Sequence, residues 1–145
     1  MDEFMKEAVR EALTGRSQGG IPIGSVLVHK RKILGRGHNQ RIQKGSAILH
    51  GEMDAIENAG RQTAKTYGEA VLYTTLSPCS MCSGAILLYG IKKVIIGENI
   101  TFRGPEELLS GNGVNLVVLN DPDCISMMSE FIREFPDIWN EDIGK

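Results

Sequence analysis

At residues 70–76 the chain reads AVLYTTL, and it runs without a spacer into SPCSMCSGAILLYG at 77–90. β-branched and aromatic residues in a run of that length form strands. Ser77 is a natural N-cap and Pro78 suits a first helical position, so a helix is expected to begin at once. A strand passing directly into a helix commits the chain to layers of sheet and helix. The same unit sets two thiols, Cys79 and Cys82, in the first turn of that helix.

The flanking sequence extends the pattern. DEFMKEAVREALTG places Phe4, Ala8, Val9, Ala12 and Leu13 on one helical face, with Gly15 as the stop. GSVLVHKRKILGRGHN reads as two short strands joined by a charged turn. LHGEMDAIENAG is a helix ending at Gly60, with His50 and Glu52 in its opening turn. KVIIGE and NLVVLN read as buried strands, and PEELLS between them as a short helix. DPDCISMMSEFIREFP opens with Asp-Pro capping and must end before Pro136. Strands alternating with helices predict a sheet with parallel members, covered on both faces. With 145 residues, 41% of them hydrophobic, the chain is expected to form one α/β domain, residues 1–145.

Several classes of function are disfavoured. The net charge is −2, whereas a duplex-binding domain shows a basic face, so no nucleic-acid partner is expected. The basic clusters are HKRK at 29–32 and the looser RGHNQRIQK at 36–44. No apolar stretch approaches the roughly 18 residues of a membrane helix, so no membrane partner is expected either. The opening MDEFMKEAVREAL is amphipathic and carries early acids, unlike a signal peptide. Three cysteines do not make a disulfide framework, and the expected address is cytoplasmic.

The chemistry lies in the two helix starts. Cysteines three apart share a helix face, and the positive helix end favours thiolate, the form that binds metal. His50 would complete three protein ligands with Cys79 and Cys82, leaving a fourth tetrahedral position for water, the catalytic zinc arrangement. Glu52 projects from the metal-bearing turn as a proton carrier. The spelling His-Gly-Glu, 25 residues, then Pro-Cys-Ser-Met-Cys is that of zinc nucleobase deaminases. Other uses of the thiols are a redox pair, which leaves His50 and Glu52 unexplained, and a closed Cys₃His site, which needs Cys124. Cys124 stands among Ile125, Met127, Met128 and Phe131, where a small buried hydrophobe fits better. His29 reads as a solvated turn residue and His38 as a satisfied structural one.

The chain resembles the small zinc cytosine deaminases of the fungal type, within the cytidine deaminase-like superfamily. The likeness rests on GGIPIG, LGRGHN, QKGSA, LHGE, LYTTLSPCSMCSGAI, YGI, GEN and the closing WNEDIG. It implies a three-layer α/β/α sandwich around a five-stranded mixed sheet, and a homodimer. It implies zinc on His50, Cys79 and Cys82, with Glu52 catalytic. It further implies that the Asn39 amide binds the pyrimidine and that backbone amides of Gly51 and around Ser77 touch the base. Phe102 and Trp139 would wall the pocket, and Asp142 would accept a hydrogen bond from the base. The implied reaction is deamination of free cytosine. A purine base, a modified pyrimidine, a tRNA adenosine and a non-catalytic metal scaffold are the alternatives. The sequence departs from the family pattern at Ser25, where a glycine is usual, and in MDAIENAG behind Glu52.

Overall fold

The computed structural model describes residues 2–145. Helix α1 (Glu3–Ser17) leads into a hairpin of β1 (Gly24–His29) and β2 (Lys32–His38). Lys30 and Arg31 turn the hairpin with φ of 48° and 64°, the paired left-handed conformation that matches strand twist. Short helix α2 (Arg41–Lys44), then α3 (Gly51–Ala59) and α4 (Ala64–Glu69), precede β3 (Val71–Thr74). After β3 come α5 (Ser80–Tyr89), β4 (Lys93–Ile96), α6 (Glu106–Gly111) and β5 (Asn115–Val118). Helices α7 (Pro122–Glu134) and α8 (Pro136–Asp142) close the chain.

The sheet order is β2-β1-β3-β4-β5. β1 is antiparallel to both β2 and β3, while β3, β4 and β5 run parallel, so the sheet is mixed as expected. The two-residue alternation of strand side chains builds a core on each face. Val26, Val28 and Tyr73 face one way and pack on Phe4, Met5 and Ala8 of α1. Leu27, Leu72, Val94 and Ile96 face the other way, onto Ile56, Ile86 and Leu109 of the opposite helical layer. A third cluster, with Ile21, Ile23, Leu76, Met128, Phe131 and Trp139, joins α7 and α8 to the loops beside β1 and β3. Helix α3 can lie this close to β2 because of Gly37, where an added Cβ would fall 2.5 Å from the Ala55 nitrogen.

Four expectations are corrected. Gly15 does not stop α1, which runs to Ser17; Gly15 is buried in the helix against the His38 ring. Leu13 is 51% exposed, and Met5 takes its place in the buried face. NLVVLN is not a buried strand: β5 is the sheet edge, with Asn115 and Val117 exposed. Ser77 does not cap α5; Cys79 holds the N-cap position, with extended ψ of 177°. Helices α2, α4 and α8 are additions to the expected elements. No helix among the described residues is long and apolar enough to cross a membrane.

Candidate active site

Two helices begin at the same place. His50 is the N-cap of α3 and Cys79 the N-cap of α5, so their side chains project beyond the helix starts. Cys82 is the third residue of α5 and fully buried. His50 Nδ1 lies 3.3 Å from Cys79 Sγ and 3.8 Å from Cys82 Sγ. Tetrahedral zinc, with Zn–S of about 2.3 Å and Zn–N of about 2.05 Å, sets S···N separations of about 3.6 Å. The donor set therefore fits zinc in both chemistry and spacing. Among the described residues these three are the group of His, Cys, Asp and Glu side chains placed to hold a metal. Cys124 is buried elsewhere, its thiol pushed up to about 12 by burial, so the closed four-ligand site is not formed.

The protein's own groups polarise this cradle. The neighbouring Cys82 thiol and the His50 imidazole hold the Cys79 thiol down to about 4, against the effect of burial. Cys82 moves the other way, raised by Cys79 and by burial. Burial opposes a charged His50, but the Asp142 carboxylate and Cys79 outweigh it and raise its pKa to about 10. Glu52, in the first turn of α3, is buried; desolvation pushes its pKa up to about 7, with His50 pulling the other way. A carboxyl group near neutrality can both hold and release a proton at working pH.

The tail supplies the opposite wall. Asp142, the last residue of α8, is buried with Oδ2 3.4 Å from His50 Nε2. Asn39 is fully buried, and its Nδ2 donates to both Asp142 oxygens at 3.2 Å. Its Oδ1 accepts from the Arg41 amide at 3.0 Å. Trp139 meets Phe102 edge to face, with ring centroids 5.9 Å apart. Between these walls and the metal cradle lies a cavity of about 20 Å³, floored by Glu52 and Leu76.

Gly51 stands in the first turn of α3, where helix N–H groups lack intrahelical partners. Ser77 lines the cavity, and its amide donates to Glu98 O at 3.0 Å. Its hydroxyl donates to buried Glu106 at 2.7 Å and accepts from the Gly104 amide at 3.0 Å. Ser77 thus ties the Phe102 loop to the turn bearing Cys79. His38 is satisfied by Glu11 at 2.9 Å and Gln18 at 3.0 Å, outside the site. His29 ends β1, 3.4 Å from Glu69, and is not simply solvated. Reading the sequence missed Arg41 and Glu106. Arg41 stands two residues from Asn39, which is the one signal that pointed to it.

A soft metal cradle on two helix starts and a buried proton carrier under a walled cavity, set on a five-stranded α/β/α sheet, define a zinc-dependent hydrolase of the deaminase class. Comparison with known proteins agrees. The pattern described as "Cytidine and deoxycytidylate deaminase zinc-binding region" matches residues 1–98, and the chain belongs to that family. It is 58% identical over 142 residues to a cytosine deaminase of Candida albicans, covering 97% of this chain and 95% of that one. It is 39% identical over 141 residues to a tRNA-specific adenosine deaminase of Streptococcus pyogenes, covering 90% and 89%. The solved structure of a guanine deaminase from Nitrosomonas europaea shares the fold, with a TM-score of 0.73 at 18% identity over 88% of this chain and 82% of that one.

Proposed function

We propose that the protein hydrolyses free cytosine to uracil and ammonia, with water as the co-substrate. The observation that carries this reading is the closure of the cavity by α8, which sets Trp139 and Asp142 directly over the metal cradle. A small pocket walled by these side chains suits a planar base better than a base carrying a ribose. The likeness to the Candida albicans cytosine deaminase, over nearly the full length of both chains, supports the same substrate.

His50, Cys79 and Cys82 would hold the zinc, which when bound supplies a water of lowered pKa as nucleophile. Glu52 carries protons: its carboxylate takes one from the attacking water and delivers it to the ring nitrogen as the amino-bearing carbon is attacked, then takes that water's second proton and delivers it to the departing amine. The Asn39 amide offers a donor and an acceptor, which suits a cytosine edge presenting both. Asp142 accepts from the base, Gly51 N–H donates to it, and the Ser77 turn lies alongside. Phe102 and Trp139 wall the pocket and exclude water.

The tRNA-specific relatives make adenosine in RNA the second reading. The tail-closed cavity and the net charge of −2 favour the free base. A panel of cytosine, cytidine, guanine and a tRNA anticodon stem, followed by ammonia release, separates the readings. Cytosine should be turned over fastest; faster turnover of cytidine or of the stem would overturn the assignment.

The proposal takes residues 1–145 as one domain acting as a homodimer, with no membrane or nucleic-acid partner. Leu88, 75% exposed at the end of α5, and Tyr89 beside it present apolar surface that a second copy would cover. The three free cysteines suit the reducing cytoplasm, where zinc thiolates are not lost to disulfides. Sedimentation at micromolar concentration should give the mass of two chains.

A further inference from the structure

One guanidinium ties three segments of the site together. Arg41 belongs to α2, and its side chain is only 16% exposed. Its Nε donates to the Ala47 carbonyl at 2.9 Å, in the loop leading to His50. Its Nη1 and Nη2 grip Glu141 at 2.6 and 2.9 Å, a fork-to-fork pair. Nη1 also reaches Asp142 Oδ1 at 3.1 Å. The last two carboxylates of α8 therefore both rest on Arg41.

Helix α8 has seven residues, too few to be stable on its own, so its tertiary anchors decide whether it stays down. Trp139 and Ile143 are the apolar anchors, and Arg41 is the polar one. The cavity beneath, about 20 Å³, has room for a water and none for a base, so a wall must move to admit one, and the short α8 carries two of the walling residues, Trp139 and Asp142. The two halves of the Arg41 clamp differ. The Glu141 side chain is 68% exposed and can exchange Arg41 for water; that of Asp142 is 1% exposed and cannot do so while the helix is down. A fastening with one wet half and one dry half can release and re-form.

We propose that Arg41 is a positioning residue that latches α8: through Glu141 it governs how often the lid opens, and through Asp142 it fixes where that carboxylate stands when the lid is shut. The inference rests on Trp139 and Asp142 being the closing wall of a free-base pocket, and it adds to that reading the group that controls access.

Trp139 is the sole tryptophan, so its fluorescence reads the lid without any substrate. The test is acrylamide quenching of the zinc-loaded full chain. Glu141→Gln and Arg41→Ala should each raise the quenching constant at least about twofold, because a loosened segment opens more often. In the parent, quenching should rise between about 0.05 M and about 1 M salt as the exposed ion pair is screened, and in Arg41→Ala it should not. Arg41→Ala should also raise KM for cytosine about tenfold, the loss expected of a charge-assisted contact, with a smaller change in kcat. Arg36→Ala, which removes an exposed partner of Glu7, should change neither quenching nor KM. Unchanged quenching in a folded, zinc-loaded Arg41→Ala overturns the latch. Should that variant not fold, unchanged quenching in Glu141→Gln overturns it equally. If quenching responds while the parent ignores cytosine, the latch stands and the substrate assignment alone falls.

Discussion

Asp142 Oδ2 lies 3.4 Å from Nε2 of His50, while the other ring nitrogen of His50 faces the two thiols. A carboxylate behind a ligating imidazole fixes its tautomer and raises its basicity, and removing such a partner typically costs about 10–100-fold in metal affinity. The last residue of α8 is therefore placed to orient a ligating imidazole as well as to meet a base. Asp142→Ala should weaken zinc binding by about 10–100-fold in a chelator competition, while still reaching one zinc per chain at saturation. An unchanged zinc affinity would confine Asp142 to the substrate.

Glu52 is buried beside the cradle without belonging to it. Glu52→Gln should keep stoichiometric zinc and lower kcat by about 10²–10⁴-fold, the usual contribution of a general acid–base group. His50→Ala and Cys79→Ser should instead lose the metal. Loss of zinc from Glu52→Gln would recast it as a ligand, and parent-like turnover would remove it from the reaction.

The same carboxyl makes the metal-stripped protein sensitive to pH. Burial raises its pKa from 4.5 to about 7 on folding. The folded chain thus holds this proton more tightly than the unfolded one. The stability so gained is complete below pH 4.5 and is lost as pH rises through about 7. Glutamine has no such proton to lose. Urea denaturation of the metal-free proteins should show Glu52→Gln gaining on the parent between about pH 5 and pH 8, by on the order of 1–3 kcal/mol. A pH-independent difference would mean that Glu52 titrates as an ordinary carboxyl.

The parts of the site that could be read from the sequence are those set by local spacing. His50 and Glu52 on one helix start, and Cys79 and Cys82 on another, need only their own turns to be placed. Arg41 was not legible because its partner Glu141 is 100 residues away. Helix α8 was hidden because Pro136 reads as the stop of α7, although proline suits the first turn of a new helix equally well. The apolar run of β5 misled for a similar reason: edge or centre is decided by strand order, which composition does not reveal. Ser77 carried a good N-cap signal, but its hydroxyl is taken by Glu106, whose position depends on the packing of α6.

That Ser77–Glu106 contact holds the Phe102 wall to the metal turn. Glu106 is buried and accepts from Ser77 and from Asn99, while Ser77 accepts from the Gly104 amide. Glu98, also buried, accepts from the Ile100 and Thr101 amides at 2.8 Å, shaping the other end of the loop. The loop closes on Pro78 so tightly that a Cβ at Gly104 would fall 1.8 Å from the Pro78 carbonyl oxygen. Ser77→Ala leaves a buried carboxylate short of a donor and should cost about 1–3 kcal/mol in denaturant unfolding. Gly104→Ala must drive the loop and the Pro78 turn apart. The turn is pinned by two helix starts and by zinc, so the loop should be the part that moves, carrying Phe102 away from Trp139 and the pocket. KM for cytosine should then rise about tenfold or more, as for a lost aromatic wall of about 1.5 kcal/mol, while zinc content stays at one per chain. A Gly104→Ala protein that loses zinc would mean the Cys79 turn is the weaker partner. One with the parent's KM would mean that the loop has slack and does not position Phe102.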